Sequence, residues 1–258
     1  MKFKFFFLSC LALLPVKSLF SQGKRLTSSG IIEFQKSVNM SAILKRSITK
    51  ANSNLFQPAY DQYVQSHPQF LILKSTLKFS DNKTLFLPDS IGNISAGFFG
   101  PQPMVSQNNI VYSDFSNKKR VSQKNVFDET FVLNEAIKKI KWKITGEARD
   151  IAGYNCYRAN GIVMDSIYVV AFYSYEIPVS GGPESFNGLP GMILGLIMPH
   201  ENISWFATRV TDTSNPSTNA SPPSKGKNIN SDEFLLILQN QAREKNVPFS
   251  IYSKSFLF

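Results

Sequence analysis

Histidine and cysteine are nearly absent from this chain, which has two of each in 258 residues. His67 and His200 each adjoin a proline and lie far apart. Neither has the spacing of a zinc motif, and no cysteine partner completes a tetrahedral set, so neither a metal centre nor a cofactor is expected. Also missing are a Gly-x-Ser-x-Gly elbow, a phosphate-binding loop and a dinucleotide fingerprint. After the first twenty or so residues no apolar run approaches the ~18 residues of a membrane-spanning helix. The longest one is interrupted by Gly195, Pro199 and His200.

What the chain does have begins with its first segment. Lys2 and Lys4 form a charged start, Phe5 to Val16 an apolar run, and Ser18 to Gln22 a small, polar exit, the layout of a secretory signal over residues 1–21. Cys10 falls in the middle of the apolar run, where a lipoprotein cleavage site would leave the signal almost no hydrophobic core. Removal of the signal leaves residues 22–258, enough for one domain with a real core. Cys156 is then the only thiol, so no intrachain disulfide forms. Its mid-strand setting predicts a packed thiol and not a nucleophile.

The net charge is +10, about +7 without the signal lysines, a value that raises the question of nucleic acid. The lysines do not support it. From Lys139 to Ile144 the sequence alternates, placing Ile140, Trp142 and Ile144 on one strand face and Lys139, Lys141 and Lys143 on the other. That is an amphipathic strand with a solvated lysine face. Asn117-Lys118-Lys119-Arg120 sits between two alternating segments and is expected to be a hairpin turn. Peripheral contact with anionic lipid headgroups, lipopolysaccharide or acidic glycans is the use such a basic surface allows.

Strand signals recur at short spacing: Gly30–Val38, Gln69–Phe79, Thr84–Pro88, Asn109–Phe115, Arg120–Phe127, Glu129–Leu133, Lys139–Gly146, Tyr154–Gly161, Ser166–Tyr175, Met192–Met198 and Ile203–Val210. Most gaps are too short for a crossover helix, which predicts an antiparallel meander. The fold class is therefore mainly β: a curved antiparallel sheet or half-barrel with one or two covering helices. Helices are predicted over Leu55–Ser66, with Pro58 in its first turn, and over Asp232–Lys245, with Ser231 as cap. Residues 211–230, rich in Ser, Thr, Asn and Pro, read as a linker before that last helix. The closing Tyr252–Phe258 reads as a tail pairing on a sheet edge.

Two strands are apolar on both faces. Ile167, Val169, Phe172 and Tyr173 belong to one, and Met192, Leu194 and Leu196 to the other. Such strands are either covered on both sides or line a nonpolar cavity. The second case makes these seven residues the candidate lining of an apolar cavity partly closed by the helix at Asp232–Lys245. Glu176 and Glu184 flank a glycine-rich stretch and form the one carboxylate pair worth weighing for glycoside chemistry. Solvated rim residues are the expected reading.

From Trp142 onward the chain resembles a family of Gram-negative cell-envelope proteins known by the motif GLPGLI. Here the motif stands as Gly188-Leu189-Pro190-Gly191-Met192-Ile193, with methionine for the second leucine. Accompanying pieces follow in order: Trp142-Lys143-Ile144-Thr145, Gly153-Tyr154-Asn155-Cys156, Tyr175 to Pro178, Gly182 to Phe186, and Lys225-Gly226-Lys227 ahead of Asp232-Glu233-Phe234. The resemblance extends to the bowl-like domain at the amino terminus of some bacterial peptide:N-glycanases and, more loosely, to lipoprotein-carrier half-barrels. Physically, Pro190 with Gly191 suits a type II turn in which Gly191 takes positive φ. Asn187-Gly188 supplies a second bend, with Phe186 and Leu189 packed inward. The motif is thus expected to be structural.

These features point to an exported, non-catalytic envelope protein that holds an apolar or amphiphilic ligand, or docks a machine such as an outer-membrane transporter. Two alternatives stand beside it: an accessory module or enzyme acting on envelope glycans or glycoproteins, as the bowl-like resemblance implies, and an integral outer-membrane barrel.

Overall fold

A computed structural model describes residues 26–89, 96–126 apart from 101, 103 and 106–108, 129–213 and 220–256. The expected signal segment and Cys10 lie outside the described residues. Twelve strands form one sheet: β1 Gly30–Asn39, β2 Phe70–Ser80, β3 Lys83–Pro88, β4 Ile110–Asp114, β5 Lys119–Val126, β6 Glu129–Ala136, β7 Lys141–Ile151, β8 Tyr154–Val163, β9 Ile167–Ser174, β10 Met192–Met198, β11 Ile203–Asp212 and β12 Lys227–Ile229. Their order is β12-β6-β5-β4-β3-β2-β1-β11-β10-β9-β8-β7. All ladders are antiparallel except β12 on β6.

The topology is two meanders joined at the middle. From β1 the chain steps outward through β2 to β6, crosses to the opposite edge at β7, and steps inward through β8 to β11 until β11 pairs with β1. In a flat sheet β6 and β7 would stand ten strand spacings of ~4.8 Å, or about 48 Å, apart. Only residues 137–140 join them, a tether reaching no more than about 18 Å. The sheet must therefore curl until its two wings nearly meet. It remains open, with β12 and β7 as its edges. An integral membrane barrel needs a closed ladder, so that alternative does not fit.

Alternation decides what faces inward. In β1, Ile32, Phe34, Lys36 and Val38 are buried, and Leu77 and Phe79 of β2 continue the same face. β9 and β10 are buried on both faces, as their doubly apolar sequences require. One side is covered by residues 177–191, where Ile193 N donates to Gly181 O (2.8 Å). On the other, Arg149 stacks over Phe172 (5.1 Å) and Phe206 (5.3 Å). The short helix α1 (Met40–Lys45) adds Met40 and Leu44 to this core, and α2 (Ser53–Ser66) adds Tyr60 and Tyr63 at its margin.

Four sequence expectations need correction. The helix α2 starts two residues earlier than predicted, which places Pro58 inside it. The second helix, α3 (Ser231–Glu244), is capped by Asn230, whose side chain accepts from Glu233 N at 2.9 Å while Glu233 reaches back, a reciprocal capping box. It packs Phe234 and Leu238 on Phe131 and Leu133 of β6, forming a second core, and so does not close over β9 and β10. The tail is not an edge strand. It forms α4 (Phe249–Phe256), whose Tyr252 and Phe256, one helical turn apart, enter that second core. Within the expected linker, Thr211 and Asp212 still pair with β1, and Lys227–Ile229 pairs in parallel with β6 and buries Ile229. Residues 214–219 of that linker lie outside the described residues.

Candidate functional site

The motif-bearing crossover, residues 177–191, is where the two wings are tied together. Trp142 Nε1 of β7 donates to Asn187 O (2.9 Å), and Arg120 Nη2 of β5 donates to Ser185 O (2.8 Å). The crossover is closed on itself by Ser180 Oγ donating to Leu189 O (2.8 Å) and by Gly188 N donating to Ser180 Oγ (3.2 Å). Phe186 and Leu189 are buried as expected.

Gly191 corrects the turn assignment. Its φ is not positive, whereas Gly188 sits at φ +95°. A Cβ on Gly191 would lie 2.1 Å from Ser174 O and 2.7 Å from Ser174 C. Glycine is therefore required because β9 backbone passes where a side chain would stand, and not for a type II turn.

Beneath the crossover lies a buried group of charges that the strand alternation conceals. Lys36, Arg120, Lys124 and Glu184 are all buried. Lys36 sits in the inward phase of β1 between Phe34 and Val38, and Arg120 and Lys124 in the inward phase of β5 with Ser122 and Val126. A charged residue in the apolar phase of an alternating strand is the signal that marks such a cluster. Lys36 Nζ donates to Met104 O (2.9 Å) and lies 5.0 Å from the Trp205 ring centre. Arg120 Nε donates to Ser113 Oγ (3.3 Å). Glu184 corrects the expectation of a solvated rim carboxylate: its Oε2 accepts from Asn109 Nδ2 (3.4 Å), and its φ of +53° costs a non-glycine residue roughly 1–2 kcal/mol. Glu176, in contrast, is half-exposed and accepts from Asn155 N (3.3 Å).

Burial dominates the titration of this cluster. It lowers Lys36 to about 8, with the nearby Glu184 charge opposing the shift. Lys124 also falls to about 8 by burial, opposed by Glu135 and Glu184. The Glu184 carboxyl is raised by burial, with Lys36 and Lys124 pulling it back. The fit is electrostatic: two buried ammonium groups around one carboxylate, each group disfavoured in its charged form by desolvation and favoured by its neighbours.

Beside this cluster is a groove of about 810 Å³, at the mouth of the gap between the wings. Its walls come from the β6–β7 connection, the start of β7, the β8–β9 hairpin tip and the crossover. Its apolar lining residues are Ile140, Ile162, Val163, Met164 and Phe186, drawn from the β6–β7 connection, the β8–β9 tip and the crossover. The rim carries Lys138, Lys139, Lys141 and Lys143, with Arg120 deeper and, among the described residues, Asp165 the one acid in the lining. The lysine face anticipated on this strand is real, but it borders a groove and does not face open solvent alone.

The seven residues proposed to line an apolar cavity, Ile167, Val169, Phe172, Tyr173, Met192, Leu194 and Leu196, are all packed in the main core. None of them borders the groove or either of two smaller cavities. Coverage on both faces leaves them in contact with protein on each side, which corrects the cavity expectation. Cys156 is fully buried in β8, and burial pushes its thiol up to about 12. Ellman's reagent at pH 8 is expected to leave native residues 22–258 unlabelled and to titrate one thiol after denaturation. Rapid labelling of the native form would contradict a packed thiol. Among the described residues no three His, Cys, Asp or Glu side chains gather as a metal site, and no helix is long and apolar enough to cross a membrane.

The chain is similar to PNGF-II. In the C2 crystal form the TM-score is 0.51 at 15% identity, over 80% of this chain and 32% of that one. In the P21 form it is 0.48 at 16% identity over the same shares. The chain thus spans about a third of the length of PNGF-II, and the likeness is one of fold. An uncharacterised conserved protein from Thermus thermophilus matches at a TM-score of 0.39 and 5% identity, over 80% of this chain and 91% of that one. No curated protein sequence matches the chain. Residues 162–195, which run from the end of β8 through β9 and the crossover into β10, match the model of a family described as a protein of unknown function (Porph_ging).

Proposed function

We propose that the protein is an exported, non-catalytic binding protein of a bacterial cell envelope, and that its ligand is a small amphiphile held in the groove between the wings. The observation that carries this reading is the composition of the groove: about 810 Å³, within the usual range for small-ligand sites, with apolar residues set against a lysine-rich rim. The signal-like first segment supports export, and the resemblance of Gly188 to Ile193 to GLPGLI proteins supports the envelope. The accessory-module alternative, acting on envelope glycans or glycoproteins, draws on the fold likeness to PNGF-II alone.

The test is native mass spectrometry of residues 22–258, purified without detergent and titrated with single-chain amphiphiles below their micelle concentrations. One bound molecule per chain is expected, and Ile162→Asp should weaken binding at least tenfold by placing a carboxylate among the apolar lining residues. The reading fails if no amphiphile binds, or if Ile162→Asp binds as the parent does.

A further inference from the structure

We infer that the ligand of this groove is an acidic amphiphile: one acyl or alkyl chain carrying a phosphate or carboxylate head, recognised by the lysine row of β7. The inference rests on the groove being the ligand site and adds the chemistry of the head group. Three observations lead to it.

The first is placement. Lys141 stands directly opposite Ile162, and Lys143 opposite Asn160, in the β7–β8 ladder. Cross-strand partners share a face, their Cβ atoms about 5 Å apart. The charged row and Ile162 are thus neighbours on one surface. A chain lying on Ile162 and Met164 brings its head group to the ammonium groups without a turn. Ile162 is 60% exposed and Met164 37% exposed, so these apolar side chains await cover.

The second is charge balance. The lining holds five cations against Asp165. Two of the five are engaged: Lys138 lies 3.9 Å from Glu135, and Arg120 is turned inward to Ser113 and Ser185. Lys139, Lys141 and Lys143 are on the rim, with no acidic partner within ion-pair distance among the described residues. A neutral or zwitterionic head leaves this positive potential uncompensated, whereas a phosphate monoester brings a charge of about −1.5 to −2.

The third is geometry. Lysine offers a point charge on a flexible stem, which suits a mobile oxyanion head. The polar side chains of Asn160 and Tyr168 lie in the same lining and supply hydrogen-bonding groups near the head. Lysines on an exposed edge strand also discourage edge-to-edge association. That role alone requires no selectivity for ligand charge, and so the two explanations part experimentally.

The experiment compares myristoyl lysophosphatidic acid with monomyristoylglycerol, which share a chain and differ in the phosphate. Both are titrated calorimetrically below their micelle concentrations into residues 22–258 and into the Lys139→Ala, Lys141→Ala, Lys143→Ala triple variant. The phosphorylated ligand is expected to bind at least tenfold more tightly to the parent and to weaken as salt rises. The triple variant is expected to bring the two ligands within threefold, chiefly by weakening the phosphorylated one. Equal affinities in the parent, or a preference that survives the triple substitution, overturn the acidic-head inference but leave the groove as a site. Absence of binding by both lipids removes the groove reading itself. An acidic oligosaccharide, oligogalacturonate, binding more tightly than the lysophospholipid would overturn the amphiphile in favour of a glycan.

Discussion

Replacing Glu184 by glutamine is expected to destabilise the protein by about 3–5 kcal/mol at neutral pH, the usual consequence of leaving a buried charge without its partner. The carboxylate lies beside two buried ammonium groups, Lys36 and Lys124. Without it, either the amines remain charged in the interior, with Glu135 near Lys124, or they give up their protons. Neutralising a lysine costs ~1.4 kcal/mol per pH unit below ~10.4, about 4–5 kcal/mol at pH 7 and about 2 at pH 9. The difference in melting temperature between parent and variant should therefore be widest near pH 7 and narrow as the solution is made alkaline.

The parent itself carries a trace of this. Its two lysines titrate at about 8 when folded and near 10.4 when unfolded, so over that window the unfolded chain binds more protons and stability rises with pH. Glu184 runs in the opposite direction: raised by burial, it keeps its proton longer in the native state, and stability declines as pH climbs from about 4.3 through its folded value. Thermal melts of parent and Glu184→Gln from pH 5 to pH 10 read both effects. A variant as stable as the parent at pH 7 would show that the carboxylate is not the counter-charge.

Gly191→Ala is expected to cost at least ~3 kcal/mol, at the upper end of overpacking substitutions. Most overpacked sites relax because a side chain can rotate away. Here the obstacle is backbone, Ser174 O at 2.1 Å and Tyr175 Cα at 3.2 Å from the added carbon. Relief therefore requires displacing the end of β9 or the start of β10, with loss of the Met192 to Ser174 pairing. The control is Gly188→Ala. That glycine has positive φ but its nearest neighbour is Trp142 Nε1 at 3.6 Å, so its cost is conformational, roughly 1–2 kcal/mol. Urea denaturation should rank Gly191→Ala well below Gly188→Ala. The reverse ranking would restore the turn explanation for Gly191 and remove the close-approach one.

These two residues also show how far the sequence could be read. Strand patterns located eleven of the twelve strands: alternation in most, where period two survives single polar intrusions, and continuous apolar runs in β9 and β10, which are buried on both faces. β12 escaped because three residues hold no period, and its pairing is dictated by β6. α4 escaped because Tyr252, Ser253 and Phe256 are compatible with either a short strand or two helical turns, and contact with α3 decides between them. The Pro190-Gly191 pair invited a turn because local dihedral preferences are the part of backbone chemistry that sequence displays, whereas a close approach by Ser174 is a tertiary fact. The doubly apolar strands were recognisable, but covering and cavity lining give the same residue pattern. For the groove, only the lysine face of β7 was visible; the apolar residues of the β8–β9 tip fell between two expected strands, Tyr154–Gly161 and Ser166–Tyr175. Their assembly depends on the curl that the β6–β7 tether imposes.

The central position of β1 shapes how the protein comes into being. Its ladder with β2 needs residues close in sequence, but its other ladder joins Val38 to Ile203 and Gly30 to Asp212. At ~5–20 residues per second, the roughly 170 residues between them take about ten to thirty seconds to synthesise. Throughout that interval the strand destined for the middle of the sheet has one edge of unpaired backbone N–H and C=O groups and a face carrying Ile32, Phe34 and Val38. Non-local pairing of this kind slows folding and exposes the chain to wrong partners. A holdase that shields β1 until β11 arrives should therefore raise the yield of native protein more than one acting on the completed chain.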